Sequence, residues 1–310
     1  MKIIFMGSPE FAVPSLKCLY DAGHEILAVY TQTDKEKGRG RKVEFPAVKK
    51  AALELGLPVY QPKSLRKKAV IEEIRSLKAD AIVVAAYGKI LPKEVLEAAE
   101  YGCFNVHASL LPAYRGAAPV EWAILNGETE TGVTIMQMNE DLDTGDILLK
   151  IPVPIEDTDT GESLTLKLSG AGNEGLLKIL RDAADGELKP EKQPEESPTP
   201  YASMLDKEMG RIDFSEDADR ILRKIRAFDP WPSAYTQLNG KTLKLFSAEK
   251  TAGDPGKAPG EVLEVTKKYF TVNTGNGALK ILNLQLEGKK RMDADAFLRG
   301  YSLEAGTVLG

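Results

Sequence analysis

The chain is poor in histidine and cysteine, and this scarcity removes several kinds of site at once. Its 310 residues include two histidines, His24 and His107, and two cysteines, Cys18 and Cys103. These four residues form no CxxC pair and no cluster with the spacing of zinc ligands. Neither a disulfide framework nor a structural metal is therefore predicted.

Long apolar runs are missing as well. No stretch of about 18 or more apolar residues occurs, and no basic segment followed by an apolar run stands at the start. Hydrophobic residues make up 43% of the chain and charged residues 28%, which is typical of globular proteins. We therefore expect a cytoplasmic protein without a membrane partner, most simply a monomer, and long enough to form two domains.

The common nucleotide and calcium motifs are also absent. The first turn reads Gly7-Ser8-Pro9-Glu10-Phe11 and lacks the GxGxxG that lets a backbone approach a pyrophosphate. No GxxxxGK[ST] loop occurs, which disfavours a nucleotide kinase. The acidic segment 139–146 lacks the glycine and glutamate spacing of an EF-hand loop, so calcium is not predicted. A carboxylate of this segment is better suited to orienting a histidine.

Apolar runs alternate with helical patterns through the first half of the chain. Strands are predicted over Lys2–Met6, 26–31 and 80–87, with helices between them, and one long helix is predicted over 161–184. Continuously apolar strands are typical of parallel sheets covered on both faces. The pattern therefore predicts an α/β fold with a doubly wound, Rossmann-like parallel sheet.

The segment Gly102–Pro119 carries the most chemically suggestive pattern. In an extended strand Asn105 and His107 point to one face, while Phe104 and Val106 point to the other. Asn105 offers an amide donor and His107 a group that titrates near neutrality, and both suit oxyanion stabilisation and proton movement in acyl transfer. A polar strand end with a hydrogen-bonded histidine would show the same pattern, so both interpretations stay open at this point.

The composition changes near residue 186. Residues 186–200 are rich in proline, glutamate and lysine and almost free of apolar side chains, which predicts a linker. A helical pattern and then short β-patterned runs follow, and a small OB-like β-barrel is the natural closed form for such strands. We predict a first domain over 1–188, a linker over 189–205 and a second domain over 206–310.

Basic residues are unevenly placed along the chain. The net charge is −5, yet residues 205–310 hold 17 Lys and Arg against 15 Asp and Glu. The run from Lys35 to Lys42 contains five basic residues set among glycines. Such a run can be a solvated loop or a loop that grips phosphates.

Several motifs together resemble a known family. They are GSPEFAVPSL at 7–16, TQTDKEKGRGRK at 31–42, AAYGKILP at 85–92, NVHASLLPAYRGAAPVEWAI at 105–124, ETGVTIMQMNEDLDTGDIL at 130–148 and RAFDPWPSAY at 226–235. The set spans nearly the whole chain and resembles the methionyl-tRNA formyltransferase family. NxH with SLLP and DTGD is typical of folate-dependent formyltransferases, and GRGRK with RAF-x-PWP narrows the resemblance to the tRNA enzymes.

The resemblance implies an activity and a catalytic set. The activity is transfer of the formyl group of 10-formyltetrahydrofolate to the α-amino group of methionine on initiator methionyl-tRNA. The implied catalytic residues are Asn105, His107 and Asp143. Whether His107 or Asp143 accepts the proton of the amine stays open.

The resemblance also implies binding residues for both substrates. The implied folate-binding residues are Ser109, Leu110, Leu111 and Pro112. The implied tRNA-binding residues are Arg39, Arg41 and Lys42. The 206–310 domain is expected to bind the tRNA through oligonucleotide contacts of the kind that small barrels make.

Two other functions compete with this interpretation. A formyltransferase acting on a sugar-nucleotide amine or on glycinamide ribonucleotide would need the same first domain. A non-catalytic RNA-binding protein would need only the second. The GRGRK run and the β domain favour the tRNA enzyme over the first alternative, and the intact Asn105, His107 and Asp143 set disfavours the second.

Overall fold

The computed structural model of the chain describes residues 1–37 and 42–310. It has two compact units, each assembled from three segments of the chain. The first comprises Met1–Pro119, Glu130–Pro154 and Thr165–Ser203, and the second comprises Val120–Thr129, Ile155–Leu164 and Met204–Gly310. Over the described ranges, no helix has both the length and the apolar character needed to cross a membrane.

Strands and helices alternate through the first 126 residues. In chain order they are β1 (Lys2–Gly7), a 3-10 helix (Glu10–Ala12), α1 (Val13–Asp21), β2 (Glu25–Tyr30), β3 (Lys35–Lys37), β4 (Lys42–Glu44), α2 (Ala47–Glu54), β5 (Val59–Tyr60), α3 (Lys68–Ser76), β6 (Ala81–Ala85), α4 (Lys93–Leu96), β7 (Cys103–His107) and α5 (Pro119–Asn126).

The remaining elements are mostly strands. They are β8 (Glu130–Gln137), β9 (Ile147–Pro154), α6 (Gly161–Ala171), α7 (Asn173–Asp185), a 3-10 helix (Glu208–Gly210), α8 (Ala218–Ala227), β10 (Ala234–Leu238), β11 (Lys241–Thr251), β12 (Val262–Val265), β13 (Phe270–Asn273), β14 (Ala278–Leu286), β15 (Met292–Asp293) and α9 (Ala294–Gly300).

The first unit is built on a seven-stranded sheet with the order β5-β2-β1-β6-β7-β8-β9. The five strands from β5 to β7 are parallel, which confirms the predicted Rossmann-like sheet. The last two strands, β8 and β9, are antiparallel to their neighbours. From β1 the sheet is extended to one side by β2 and β5, and from β6 to the other side by β7, so the topological switch point lies between β1 and β6. Open α/β sheets bind ligands at the carboxyl edge of the strands at such a point.

Helices cover both faces of this sheet. On one face, Ile4 of β1 and Ile82 of β6 pack with Ile74 of α3 and Val95 of α4. On the other face, α7 buries Leu176, among others, and approaches β9. Strands buried on both faces are apolar throughout, which is why the sequence shows continuous runs there.

The single helix predicted over 161–184 is divided at Gly172. Here α6 ends and α7 begins, and a Cβ on Gly172 would lie 2.9 Å from Val133 Cγ1 and 3.2 Å from Val106 Cγ1. The helix junction therefore lies directly on the sheet, where only glycine leaves enough room.

The second unit contains an antiparallel sheet with the order β10-β11-β14-β13-β12, and β15 pairs with β14. Its core includes Leu245 of β11 and Ile281 of β14, with Ile221 and Ile225 of α8 packed against them. The alternating burial along β10, Ala234 to Leu238, matches a sheet with one buried face. The second domain, predicted as a small OB-like β-barrel, is thus confirmed as a β domain, and its sheet is antiparallel.

The segment 307–310 joins the two edge strands of this sheet. Val262 N donates to Thr307 O at 2.8 Å, and Leu309 N donates to Gly260 O at 2.9 Å. Gly310 N then donates to Gln237 O of β10 at 3.1 Å. These bonds satisfy backbone groups that would otherwise form open edges.

Candidate active site

Strand β7 sets the direction of the two polar side chains. Cys103 packs in the apolar cluster that includes α3 and α4, and Val106 faces Gly172 on the opposite side of the sheet. Because side chains alternate along a strand, Asn105 and His107 lie on the Cys103 face. Both are buried, with 8% and 6% of their surfaces exposed. Buried polar side chains at a strand end need partners, and His107 has them nearby.

His107 lies between a backbone carbonyl and a carboxylate. Its Nε2 is 3.2 Å from Tyr114 O, and its Nδ1 is 3.7 Å from Asp143 Oδ1. A carbonyl oxygen only accepts hydrogen bonds, so Nε2 carries a proton in this arrangement. Nδ1 is then the ring nitrogen that can take up a proton, and it does so beside a carboxylate.

The β8–β9 connection brings Asp143 to this position. Asp143 Oδ2 accepts a hydrogen bond from Gly116 N at 3.0 Å. The backbone of Asp143 has φ +54°, in the left-handed region that is uncommon for residues other than glycine. A Cβ on Gly145 would clash with the carbonyl oxygen of Gln137, so the connection is tightly folded. This geometry holds the carboxylate against both His107 and the 114–116 turn.

The turn after β7 is held by hydroxyl groups. Ser109 Oγ donates to Ala113 O at 2.6 Å. Thr134 Oγ1 of β8 donates to Ser109 O at 2.6 Å and accepts from Leu111 N at 3.0 Å. Thr134 is fully buried, and its two hydrogen bonds hold the turn against the sheet.

The four residues expected to contact folate differ in exposure. Ser109 and Leu111 are buried, and Leu111 packs with Met136 and Ile147. Leu110 and Pro112 are partly exposed. The first pair is thus placed to shape the turn, and the second pair offers the apolar surface that a flat heteroaromatic ligand needs.

Tyr201 is a site residue that sequence reasoning missed. A Cβ on Gly116 would lie 2.9 Å from Tyr201 Cζ, so the ring lies against the turn that bonds Asp143. Partial burial and the Asp143 carboxylate raise the pKa of the Tyr201 phenol. Its neighbour Ala202 donates to Arg115 O at 2.8 Å and accepts from Ala117 N at 2.7 Å. A tyrosine in a stretch that reads as linker carries no sequence signal for this placement.

The base of the β3–β4 hairpin is anchored by a polar cluster. Lys49 Nζ bonds Asp34 Oδ2 at 2.7 Å and Gln61 Oε1 at 2.8 Å. Hydrogen bonds from Lys49 and Gln61 lower the pKa of the Asp34 carboxyl. The cluster fixes the chain just before the basic run.

The three predicted tRNA-binding residues follow this cluster. Arg39 and Arg41 lie outside the described residues, and Lys42 begins β4. In the second unit, exposed lysines occur at turns, namely Lys267, Lys268, Lys289 and Lys290. Arg291, a further basic position of that unit, is instead paired with Asp229 at 3.0 and 3.1 Å. Its guanidinium carbon also lies 4.1 Å from the centroid of the Phe246 ring.

No group of three or more potential metal ligands occurs in the part of the chain that the structure describes. The polar groups assembled around His107 are amide, imidazole, carboxylate and backbone N–H. Such a set can polarise a carbonyl and move a proton.

Two family models match the chain. The model described as formyl transferase matches residues 1–180, and the model described as formyl transferase, C-terminal domain, matches residues 204–302. A curated relative is the methionyl-tRNA formyltransferase of Caldanaerobacter subterraneus subsp. tengcongensis. It is 49% identical over 310 residues, which cover the whole of both chains.

Solved structures share the fold at lower identity. HypX from Aquifex aeolicus, in complex with tetrahydrofolic acid, has a TM-score of 0.65 and 22% identity over 97% of this chain. This chain spans about half of HypX, since it covers 47% of that protein. An N-formyltransferase from Helicobacter canadensis, in complex with folinic acid and dTDP-3-aminofucose, has a TM-score of 0.67 and 22% identity. That match covers 94% of this chain and 100% of the other.

Proposed function

The chain belongs to the formyltransferase family, and we propose that it transfers the formyl group of 10-formyltetrahydrofolate to the α-amino group of methionine on initiator methionyl-tRNA. The feature that supports this most strongly is the full-length similarity, at 49% identity, to a curated methionyl-tRNA formyltransferase. The alignment spans the whole chain and therefore includes both structural units. The N-formyltransferase from Helicobacter canadensis resembles the chain at 22% identity, which supports the fold alone.

Asn105 is proposed to stabilise the charge that develops during the reaction. The folate cosubstrate supplies a formyl group bonded to nitrogen, and attack by an amine places negative charge on the formyl oxygen. The Asn105 amide, held by the end of a rigid strand, donates a hydrogen bond to this oxygen. Donors fixed in advance in a water-poor site stabilise such charge strongly.

His107 and Asp143 are proposed to remove the proton of the attacking amine. Tyr114 O holds the Nε2–H of His107, so Nδ1 is the nitrogen available for the proton. Asp143, 3.7 Å away, favours the resulting imidazolium. In this scheme the proton of the amine passes to His107, and Asp143 orients the imidazole. When the tetrahedral intermediate collapses, the bond between the formyl carbon and the folate nitrogen breaks, and His107 gives the proton to that nitrogen, so that tetrahydrofolate leaves.

Ser109, Leu110, Leu111 and Pro112 are proposed to hold the folate cosubstrate. The exposed surfaces of Leu110 and Pro112 contact its ring system, whereas Ser109 and Leu111 keep the turn in place through Ala113 and Thr134. The cosubstrate thereby places its formyl group beside the Asn105 amide.

The division of labour along the chain is proposed as follows. Residues 1–188 carry the catalytic residues, 189–205 connect the domains, and 206–310 form an OB-like barrel that binds the tRNA body. Such barrels commonly bind oligonucleotides through a sheet face and its loops. The protein is proposed to act as a monomer in the cytoplasm, where initiator tRNA is used.

A formylation assay tests the proposed function. Purified protein is incubated with 10-formyltetrahydrofolate and, in separate reactions, with methionyl initiator tRNA, free methionine and dTDP-3-aminofucose. Formylation of the charged tRNA at least about 100-fold faster than of the other two amines is expected. Preference for the sugar nucleotide, or formylation of none of the three, contradicts the proposal.

Arg39→Ala is expected to weaken the use of tRNA and leave folate binding intact. A guanidinium among glycines can reach phosphates or base edges, and one good bidentate contact contributes about 1–3 kcal/mol. We expect kcat/KM for methionyl-tRNA to fall about 10- to 100-fold, with the affinity for tetrahydrofolate changed less than twofold. Lys17→Ala, at an exposed position of α1, is the control. Unchanged tRNA kinetics would make the loop an ordinary solvated one.

Removing the turn lysines of the second unit is expected to change the salt dependence of tRNA binding. Each neutralised phosphate contributes roughly 0.7 to 0.9 to the slope of log affinity against log salt concentration. The double variant Lys289→Ala, Lys290→Ala should therefore lower that slope by up to about 1.8. Filter binding of tRNA at several salt concentrations measures it, and a slope equal to that of wild type removes these lysines from the tRNA surface.

A further inference from the structure

Gln193 connects the segment after α7 to the loop that carries Asp143. Its Nε2 donates to Asp143 O at 2.9 Å and to Gly145 O at 2.7 Å. Both hydrogens of the amide are thus used on the same tight loop. These bonds fix the main chain at Asp143, whose side chain faces His107.

Arg115 fixes which way the Gln193 amide points. Arg115 Nε and Nη2 lie 3.0 and 2.9 Å from Gln193 Oε1. Arginine has only donors and the two loop carbonyls are only acceptors, so the amide must present its oxygen to Arg115 and its NH₂ to the loop. The same guanidinium donates to Pro194 O at 2.7 Å and to Glu195 O at 3.0 Å, which holds the surrounding backbone.

Residues 191–202, here called the strap, bond both loops of the candidate active site. Glu191 and Ile147 exchange two backbone hydrogen bonds of 2.8 and 2.9 Å. Ser197 Oγ donates to Pro112 O at 2.8 Å, and Thr199 Oγ1 accepts from Tyr114 N at 2.7 Å. The strap therefore runs along the 112–117 turn and the start of β9, with Gln193 between them.

We propose that Gln193 is a positioning residue for formyl transfer: it holds the Asp143 loop so that the carboxylate stays against His107, and Arg115 holds Gln193 in the orientation that allows this. The inference rests on the proposed function of the site. Asp143 adopts a left-handed backbone conformation, which persists only where surrounding bonds determine it. The two Gln193 bonds and the Gly116 N–H bond are such constraints.

Gln193→Ala is expected to lower kcat about 10- to 100-fold, with KM for folate and for tRNA changed less than threefold. It removes two hydrogen bonds and leaves two loop carbonyls to find other donors. A shift of about 1 Å in a catalytic group can cost about 100-fold in rate. Steady-state kinetics separate this loss in kcat from a loss in substrate binding.

Gln193→Glu provides a second variant of the same size. An ionised carboxylate still accepts hydrogen bonds from Arg115, but its other oxygen then faces the two loop carbonyl oxygens and repels them. The rate at pH 8 should therefore be as low as for Gln193→Ala. Protonation of the new carboxyl restores one donor. The ratio of the variant rate to the wild-type rate should therefore rise as pH falls towards 5, which a general loss of stability would not produce.

The two histidines offer a readout that does not depend on activity. In an NMR spectrum of the imidazole groups, Gln193→Ala should move the signals of His107, because the nearby Asp143 carboxylate is displaced. The signals of His24, whose Nδ1 lies 3.3 Å from the N-terminal amine, should stay in place. His24 thus serves as an internal control.

Lys192→Gln, at an exposed neighbouring position of the strap, is the matched control and should keep wild-type kinetics and spectra. A wild-type protein without formylation activity would contradict the proposed function but leave the NMR test of Gln193 intact. The positioning role is overturned if both Gln193 variants keep kcat within threefold of wild type. It is also overturned if the His107 signals stay unmoved, or if the loss of rate equals the loss of folded protein in thermal unfolding.

Discussion

Replacing Asn105 with alanine is expected to lower kcat for formylation of methionyl-tRNA by about 10²- to 10³-fold, the usual cost of removing one fixed oxyanion donor. The side chain is 8% exposed at the end of β7, so its amide is held by the strand and shielded from water. Water that fills the vacated space is mobile and replaces a fixed donor poorly. The rate is measured under single-turnover conditions with saturating folate and tRNA.

Two further measurements make the Asn105 result specific. Asn105→Asp keeps the shape of the side chain but loses its donor, so its rate should be at least as low as that of the alanine variant. Affinity for tetrahydrofolate, measured by calorimetry, should stay within about threefold of wild type. A kcat within threefold of wild type in both variants would exclude Asn105 as an oxyanion donor.

Asp143→Asn is expected to lower kcat by about 10³-fold. The substitution keeps an oxygen that can accept from Gly116 N but removes a negative charge 3.7 Å from His107 Nδ1. The carboxylate orients the imidazole and attracts the proton that it takes up, and acid–base groups of this kind contribute about 10²- to 10⁴-fold to the rate. His107 and Asp143 are 6% and 8% exposed, so solvent screens this attraction weakly.

A neighbouring acid provides the control for Asp143. Asp141 lies exposed on the same connection, and Asp141→Asn should keep the wild-type rate. The Asp143→Asn variant should still melt as wild type does, since the fold and the Gly116 bond remain. If its kcat fell less than threefold, the carboxylate would have no part in proton transfer, and His107 would act with Tyr114 O as its sole orienting group.

Local patterns predicted β7 and the polar face of the site well. Alternation along five residues is enough to place Asn105 and His107 on one face, because strand geometry depends only on neighbouring residues. The continuous apolar runs of β1 and β6 similarly predicted a parallel sheet covered on both faces. These properties need no knowledge of which distant segments meet.

The antiparallel direction of β8 and β9 follows from the short stretch of chain between them. Strands β8 and β9 are separated by the nine residues 138–146. A parallel neighbour requires a crossover of about a dozen residues or more, so this short connection favours the antiparallel hairpin that β8 and β9 form. The hairpin matters because its tip carries Asp143.

The role of Gln193 could not be predicted from the local sequence. A stretch rich in proline, glutamate and lysine indicates that no apolar core forms there. It does not indicate which backbone groups elsewhere need donors. Gln193 bonds Asp143 from 50 residues away and Arg115 from 78 residues away, and a single sequence contains no sign of such pairs. Tyr201 is missed for the same reason.

The strap determines how short a working catalytic fragment can be. A chain cut after residue 188 would keep Asn105, His107 and Asp143 on an intact sheet, yet it would lack the donor for the Asp143 and Gly145 carbonyls. A fragment that keeps the whole strap must therefore extend to residue 202. During synthesis the chain emerges N-terminus first, so the hydrogen bonds from Gln193 to the Asp143 loop form only when the stretch beyond α7 has left the ribosomal exit tunnel and has folded back.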